Sequence, residues 1–96
     1  MDDAVRKRLE IPEEILSSLE SPDTRKALDE TTMKNIAEFL NQRHDWQVER
    51  IRDLRKRFQE RAANEAREDL RELSKLIRQV DGWLFSGGFK PKPKPD

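Results

Sequence analysis

One uninterrupted helical pattern constrains the fold of this chain more than any other feature. Between Thr32 and Asp81, fifty residues contain no Gly or Pro, the two residues that most often interrupt a helix. Apolar residues recur in this stretch mostly at steps of three and four, the spacing of one helix face. They are Met33, Ile36, Leu40, Ile51, Leu54, Phe58, Leu70, Leu73, Ile77 and Val80. The pattern predicts one long amphipathic helix over about residues 32–81.

A continuous helix of this length would extend roughly 75 Å. Only 33% of the 96 residues are apolar and 42% are charged, so the chain has little other material with which to cover the stripe. The stripe also slips in phase at about residues 41–50 and 59–69, which favours a near-straight bundle over a tight supercoil. We therefore predict an all-α protein in which the stripe is an oligomer seam, covered by other copies or by a foreign helix in a coiled coil or helical bundle.

An alternative is a helix that breaks near Asn64 and folds back into a monomeric three-helix bundle. Short N-terminal helices would then cover part of the stripe. Ala62, Ala63 and Ala66 are strong helix formers, and no Gly or Pro marks a turn there. Helix propensity therefore favours the continuous helix.

Residues 1–31 are expected to form two short helices before the long one. Pro12 and Pro22 each suit the first position of a helix, and Ile15, Leu16 and Leu19 would share one face of the first. Asp2–Glu10 has few apolar residues and is interpreted as a weak helix or frayed coil. Thr31 or Thr32 would cap the long helix.

The C-terminal part is expected to present a docking segment. Gly82 is a natural helix stop, although the seam could continue to Leu84, so the long-helix segment is taken as 32–85. Residues 86–96 then form a glycine hinge and a flexible tail of alternating Lys and Pro, which favours polyproline II structure. We predict that the aromatic cluster on either side of this hinge docks a larger partner, or alternatively caps the protein's own bundle. The cluster comprises Trp83, Leu84, Phe85 and Phe89.

A basic stretch over residues 50–61 contains six Lys or Arg and only two acids. Its cations, candidate contacts for a polyanion, are Arg50, Arg52, Arg55, Lys56, Arg57 and Arg61. A basic helix before heptads is the general layout of zipper DNA binders. Ile51, Leu54 and Phe58, however, run a hydrophobic seam through the segment. The alternative is a solvated face with ion pairs such as Asp53 to Arg57 and Arg61 to Glu65.

No pattern in the sequence indicates catalysis, a metal, a cofactor or a small-molecule substrate. His44 and Asp45 are adjacent, but further ligands at helical spacing are missing, since Leu40 and Val48 occupy those positions. The chain has no Cys, and its 20 basic and 20 acidic residues balance, so no global charge attracts nucleic acid or membrane. No signal peptide or membrane span is evident, which predicts a protein of the cytoplasm or of a larger assembly such as a virion.

The function these features favour is structural. We expect a non-enzymatic helical adaptor or scaffold, of the kind found in phage or viral assembly, that forms a homo-oligomer or joins a larger protein assembly. The alternatives are a small nucleic-acid-binding regulator that uses residues 50–61, and a helical inhibitor or antitoxin that wraps an enzyme.

Overall fold

The computed structural model describes residues 1–87, which form five α-helices and no strand. The all-α prediction is therefore confirmed for this part of the chain. The helices are α1 Asp3–Arg8, α2 Glu13–Glu20, α3 Pro22–Lys26, α4 Glu30–Lys56 and α5 Glu60–Ser86. The last two contain 27 residues each and would each be about 40 Å long.

The two long helices pack against each other as a hairpin. The continuous helix predicted over about residues 32–81 is therefore wrong, because α4 ends at Lys56 and α5 begins at Glu60. The alternative of a hairpin is right in kind, but the turn lies at Phe58 and not near Asn64.

The turn at Phe58 is a Schellman motif formed without glycine. Phe58 has a φ of 59°, its N–H donates to the carbonyl oxygen of Arg55 at 3.1 Å, and the Gln59 N–H donates to that of Leu54 at 2.9 Å. These bonds satisfy carbonyls that the helix end would leave unpaired. A left-handed conformation costs a non-glycine residue about 1–2 kcal/mol. The turn is not predicted from the sequence, because a bulky residue occupies the position that glycine usually fills.

A second turn of this kind ends α1. Glu10 has a φ of 56°, and the N–H groups of Glu10 and Ile11 donate to the carbonyl oxygens of Lys7 and Arg6, both at 3.1 Å. The turn redirects the chain so that Leu9 and Ile11 are both buried. Asp2–Glu10 is thus an ordered helix and turn in the fold, which gives three short helices where two were expected.

The N-terminal segment and the hairpin share one hydrophobic core. Its buried members are Leu9, Ile11, Leu16, Leu19, Met33, Ile36, Leu40, Leu73 and Val80. Six residues of the predicted oligomer seam are buried inside this single chain: Met33, Ile36, Leu40, Ile51, Leu73 and Val80. Leu54, Leu70 and Ile77 are half-buried, and Phe58 is 91% exposed. The premise that the chain cannot cover its own stripe is therefore wrong, since the hairpin and the N-terminal segment cover most of it.

Arginine side chains fasten the N-terminal segment to the hairpin. Arg8 donates from Nε and Nη2 to the two carboxylate oxygens of Asp69 at 2.8 and 2.9 Å, and Asp69 is buried. The hydrogen bonds to Asp69 raise the pKa of the Arg8 guanidinium. Arg43 donates to the Leu9 carbonyl oxygen at 2.9 Å and to a Glu10 carboxylate oxygen at 3.0 Å. Because these bonds cross between elements, they fix the position of the turn at Glu10.

The starts of the other helices agree only partly with the predictions. Pro22 occupies the first turn of α3, as expected, whereas Pro12 is the cap that precedes α2. Asp29, and not Thr31 or Thr32, caps α4, because its carboxylate accepts the Thr32 N–H at 2.7 Å. Leu16 and Leu19 are buried and Ile15 is half-buried, which confirms the predicted apolar face of α2.

The C-terminal helix continues past Gly82, so the stop at that residue is wrong, and the alternative in which the helical segment continues to about residue 85 is right. Helix α5 extends to Ser86, and Gly87 ends it with a φ of 74° and an N–H that donates to the Trp83 carbonyl oxygen. Phe89 and the Lys-Pro tail lie outside the described residues.

Replacing Gly82 with Ala should stabilise the protein by about 0.5–1 kcal/mol, because Gly in a helix interior is disfavoured by this amount. Gly82 is exposed and a methyl group there would meet no atom within 4 Å. Urea unfolding followed by circular dichroism measures the change. The matched control is Gly87→Ala, which should destabilise because φ at Gly87 is positive. An unchanged or lowered midpoint for Gly82→Ala would contradict a continuous helix through this residue.

Candidate functional site

Two surfaces at opposite ends of α5 present candidate interaction residues. One surface lies beside the last turn of α5, where the N-terminal helices pack on the hairpin. The other lies at the hairpin turn, where α4 ends and α5 begins. The fold thus separates residues 50–61 from residues 83–85, the described part of the aromatic cluster, by nearly the length of a 27-residue helix.

A cleft of about 350 Å³ opens beside Trp83. Its apolar lining comes from the N-terminus, α2 and α5: Met1, Leu16, Leu19, Leu76 and Trp83. Glu20, Arg25, Glu72, Lys75 and Gln79 supply its polar lining. We call this the closed-end cleft, because the N-terminal helices close the end of the hairpin that lies opposite its turn. It has the apolar walls and polar rim typical of sites that accept a hydrophobic side chain.

The predicted docking residues have different roles around this cleft. Trp83 is half-buried and packs against the core, with the Arg25 guanidinium carbon 4.1 Å from its ring centroid. Leu84 is also half-buried against the core, so the alternative of capping the bundle describes these two residues. Phe85 is 96% exposed. Of the residues predicted to dock a partner, Phe85 is therefore the one that the described structure leaves free to enter another protein.

The basic residues surround the hairpin turn and differ in their partners. Arg52 pairs with Glu49 at 3.1 Å and Arg57 with Asp53 at 3.3 Å, which confirms the predicted Asp53–Arg57 pair. The Arg50 guanidinium carbon lies 5.6 Å from the Trp46 ring centroid. Within residues 1–87, Arg55, Lys56 and Arg61 form no ion pair, and the predicted pair of Arg61 with Glu65 is absent. These three cations, with Arg57 and Phe58, are called the basic tip.

A shallow groove of about 240 Å³ lies between α4 and α5 next to the basic tip. Val48, Ile51 and Leu70 form its apolar lining, and Arg52, Arg55 and Arg67 form its charged lining. Arg67 was not singled out in the sequence because it lies outside the run over residues 50–61. The fold brings it to this site by reversing the chain at Phe58.

The described residues offer few groups for chemistry. His44 Nδ1 lies 3.7 Å from Asp45 Oδ1, a contact between sequence neighbours. No group of three or more His, Cys, Asp or Glu side chains within residues 1–87 could hold a metal ion. None of the helices described there is long and apolar enough to cross a membrane.

Compared with protein-family models, curated proteins and solved structures, the chain shows no significant match to any of them. The candidate surfaces therefore have to be judged by their own geometry. Among residues 1–87, the closed-end cleft and the basic tip each combine charged residues with an apolar lining or an exposed aromatic ring.

Proposed function

We propose that this protein is a non-enzymatic helical adaptor that docks a larger protein through the closed end of its bundle. The observation that carries the proposal is the almost fully exposed Phe85 in the last turn of α5, at the end of the helix that also lines the closed-end cleft. Phe85 would insert into an apolar pocket of the partner. Phe85 lies two residues beyond Trp83 and projects from a different face of α5 than the one that lines the cleft. The partner would therefore reach around the end of the helix to place an apolar side chain in the cleft as well.

The residues next to Phe85 hold the end of α5 in place, which favours binding with little reorganisation of this helix. Trp83 and Leu84 are held against the core, and Gly87 closes the helix directly after Ser86. The aromatic ring is therefore presented on a helix that is already formed. An anchor of this kind loses less conformational freedom on binding than one on an unstructured segment.

The partner in this proposal is a different protein and not a second copy. A homo-oligomer was expected because the stripe seemed too long for one chain to cover. Six of its ten residues are buried within the chain, so the drive to associate through them is already satisfied. Among residues 1–87, the apolar surface left exposed at the closed end is the Phe85 ring and the lining of one cleft, which is less than the large apolar interface typical of an obligate homo-oligomer.

Photo-crosslinking in extracts of the source cells tests this proposal. A photoreactive benzoylphenylalanine in place of Phe85 should give one discrete adduct, and the same residue in place of Asn64 should not. Asn64 is the matched control because it is exposed on the same helix, roughly 30 Å away from Phe85. Excess wild-type protein should suppress the adduct, whereas excess Phe85→Ser protein should not.

Two results would contradict the proposal. Identical adducts from positions 85 and 64 would show that the contact is not specific to the closed end. A cross-link between two copies in the purified protein at position 85 would identify the partner as a second copy of this chain.

A further inference from the structure

We propose that the basic tip binds a single strand of nucleic acid, with Phe58 stacking on an unpaired base and the surrounding cations contacting phosphates. This site lies at the opposite end of α5 from the closed-end cleft, and the proposal does not depend on that cleft. Four observations on the described residues support it.

The first observation is that the fold gains nothing from the side chain of Phe58. Its φ of 59° is a conformation that glycine adopts without strain. Its ring is 91% exposed, so it contributes almost no burial to the core. A bulky residue held in a strained and exposed position indicates a use outside the fold.

The second observation is the concentration of unpaired positive charge around this ring. Residues 50–67 contain seven Lys or Arg and three Asp or Glu, whereas the whole chain is neutral. Arg55, Lys56 and Arg61 are exposed and form no ion pair within residues 1–87. They come from both sides of the turn, so the hairpin places them around Phe58.

The third observation is that the charged surface continues along one side of the hairpin. Arg55 belongs to the basic tip and also lines the groove, together with Arg52 and Arg67. Val48, Ile51 and Leu70 provide an apolar surface between these arginines. A groove lined by cations, with an exposed aromatic residue three positions beyond Arg55 in the chain, matches the way proteins follow a single strand, by contacting phosphates and stacking bases.

The fourth observation is the chemistry of the cations. Six of the seven are arginines, whose planar guanidinium groups bind phosphate oxygens in pairs and also stack on bases. A duplex fits less well, because its bases are already stacked, and because Ile51 in this segment is buried against the hairpin and cannot turn toward a groove. A membrane surface also fits less well, since among residues 1–87 Phe58 is the one large apolar residue that is almost fully exposed at the tip.

Fluorescence anisotropy with labelled oligo-dT and oligo-U of about 15 nucleotides tests the site. The full chain should bind both, with an affinity that falls as salt rises from about 50 to 200 mM. Phe58→Gly should weaken binding about 5- to 150-fold through loss of one stacked base, while its thermal midpoint stays equal to or above that of the wild type. Weaker binding without a lower thermal midpoint distinguishes the loss of the stacking contact from unfolding of the protein.

A pair of charge variants tests the phosphate contacts. Replacing Arg55, Lys56 and Arg61 with Gln should reduce the steepness of the logarithmic salt dependence by about 2, since each phosphate contact on a single strand contributes about 0.7. The matched control replaces Lys26, Arg71 and Arg78 with Gln, which removes the same charge at exposed positions away from the tip. The control should bind as the wild type does.

Three outcomes would overturn the proposal. They are the absence of salt-dependent binding by the wild type, unchanged binding by Phe58→Gly, and an equal loss in the two triple variants. Polyglutamate that binds as tightly as the oligonucleotides, with the same dependence on Phe58, would also overturn it, by identifying an acidic protein as the ligand. None of these outcomes bears on cross-linking from position 85, so the two proposals can fail separately.

Discussion

Replacing Leu73 with Glu is expected to abolish the cooperative fold of the single chain. Leu73 is 0% exposed and lies in the core shared by the hairpin and the N-terminal segment. Truncating such a leucine to Ala typically costs about 2–5 kcal/mol, and a buried unpaired carboxylate costs more. Domains of this size are stable by about 5–15 kcal/mol in total. The far-ultraviolet circular dichroism signal should therefore fall to that of a largely unfolded chain at neutral pH.

The matched control for this change is Phe85→Glu on the same helix. Phe85 is 96% exposed, so the added carboxylate stays in water and the free energy of unfolding should change by less than about 0.5 kcal/mol. Sedimentation, measured together with helicity, distinguishes unfolding of the single chain from dissociation of an oligomer. A Leu73→Glu protein that dissociates from an oligomer into helical single chains would place Leu73 in an intermolecular seam and contradict the closed hairpin.

Replacing Leu9 with Ala is expected to lower the free energy of unfolding by about 2–5 kcal/mol. Leu9 is 0% exposed although it follows a helix of only six residues. Its backbone carbonyl also accepts a hydrogen bond from Arg43, so the side chain is held in place by the turn at Glu10. The change leaves a cavity that the surrounding helices can fill only in part. Urea denaturation followed by tryptophan fluorescence and by circular dichroism gives the value.

Lys7→Ala is the control for this second change. Lys7 is exposed and its ion pair with Asp3 lies at the surface, where such pairs contribute little. If Leu9→Ala and Lys7→Ala unfold at the same urea concentration, the N-terminal segment does not cover the hairpin core. The interpretation of Asp2–Glu10 as frayed coil would then be correct.

Local sequence signals predict parts of the fold correctly, although the proline signal holds for Pro22 and not for Pro12, which precedes α2 as its cap. Pro22 indicated the start of α3, and the spacing of Leu16 and Leu19 indicated a buried face. The aromatic cluster at residues 83–85 was recognised, but its division into anchored and exposed members was not. That division depends on which side of α5 the N-terminal helices occupy, and helical spacing on α5 alone does not contain this information.

The turn at Phe58 was missed for a different reason. Helix propensity adds up local preferences, and residues 54–63 contain no helix breaker. The cost of one left-handed phenylalanine is about 1–2 kcal/mol. Burying the stripe within the chain repays this cost several times over, because each large apolar side chain buried contributes about 1.5–3 kcal/mol. The same residue that hid the turn now lies at the centre of the proposed nucleic-acid site.

The sequence by itself determined that this protein is helical, that its apolar residues must be covered by other helices, and that its charges are segregated along the chain. These properties follow from spacing and composition, which need no knowledge of distant contacts. The tertiary structure decided what covers the stripe, where the chain reverses, and which aromatic residues remain exposed. Those outcomes depend on contacts between residues far apart in the chain, such as Arg8 with Asp69. Their summed burial outweighs the local preference for a straight helix at Phe58.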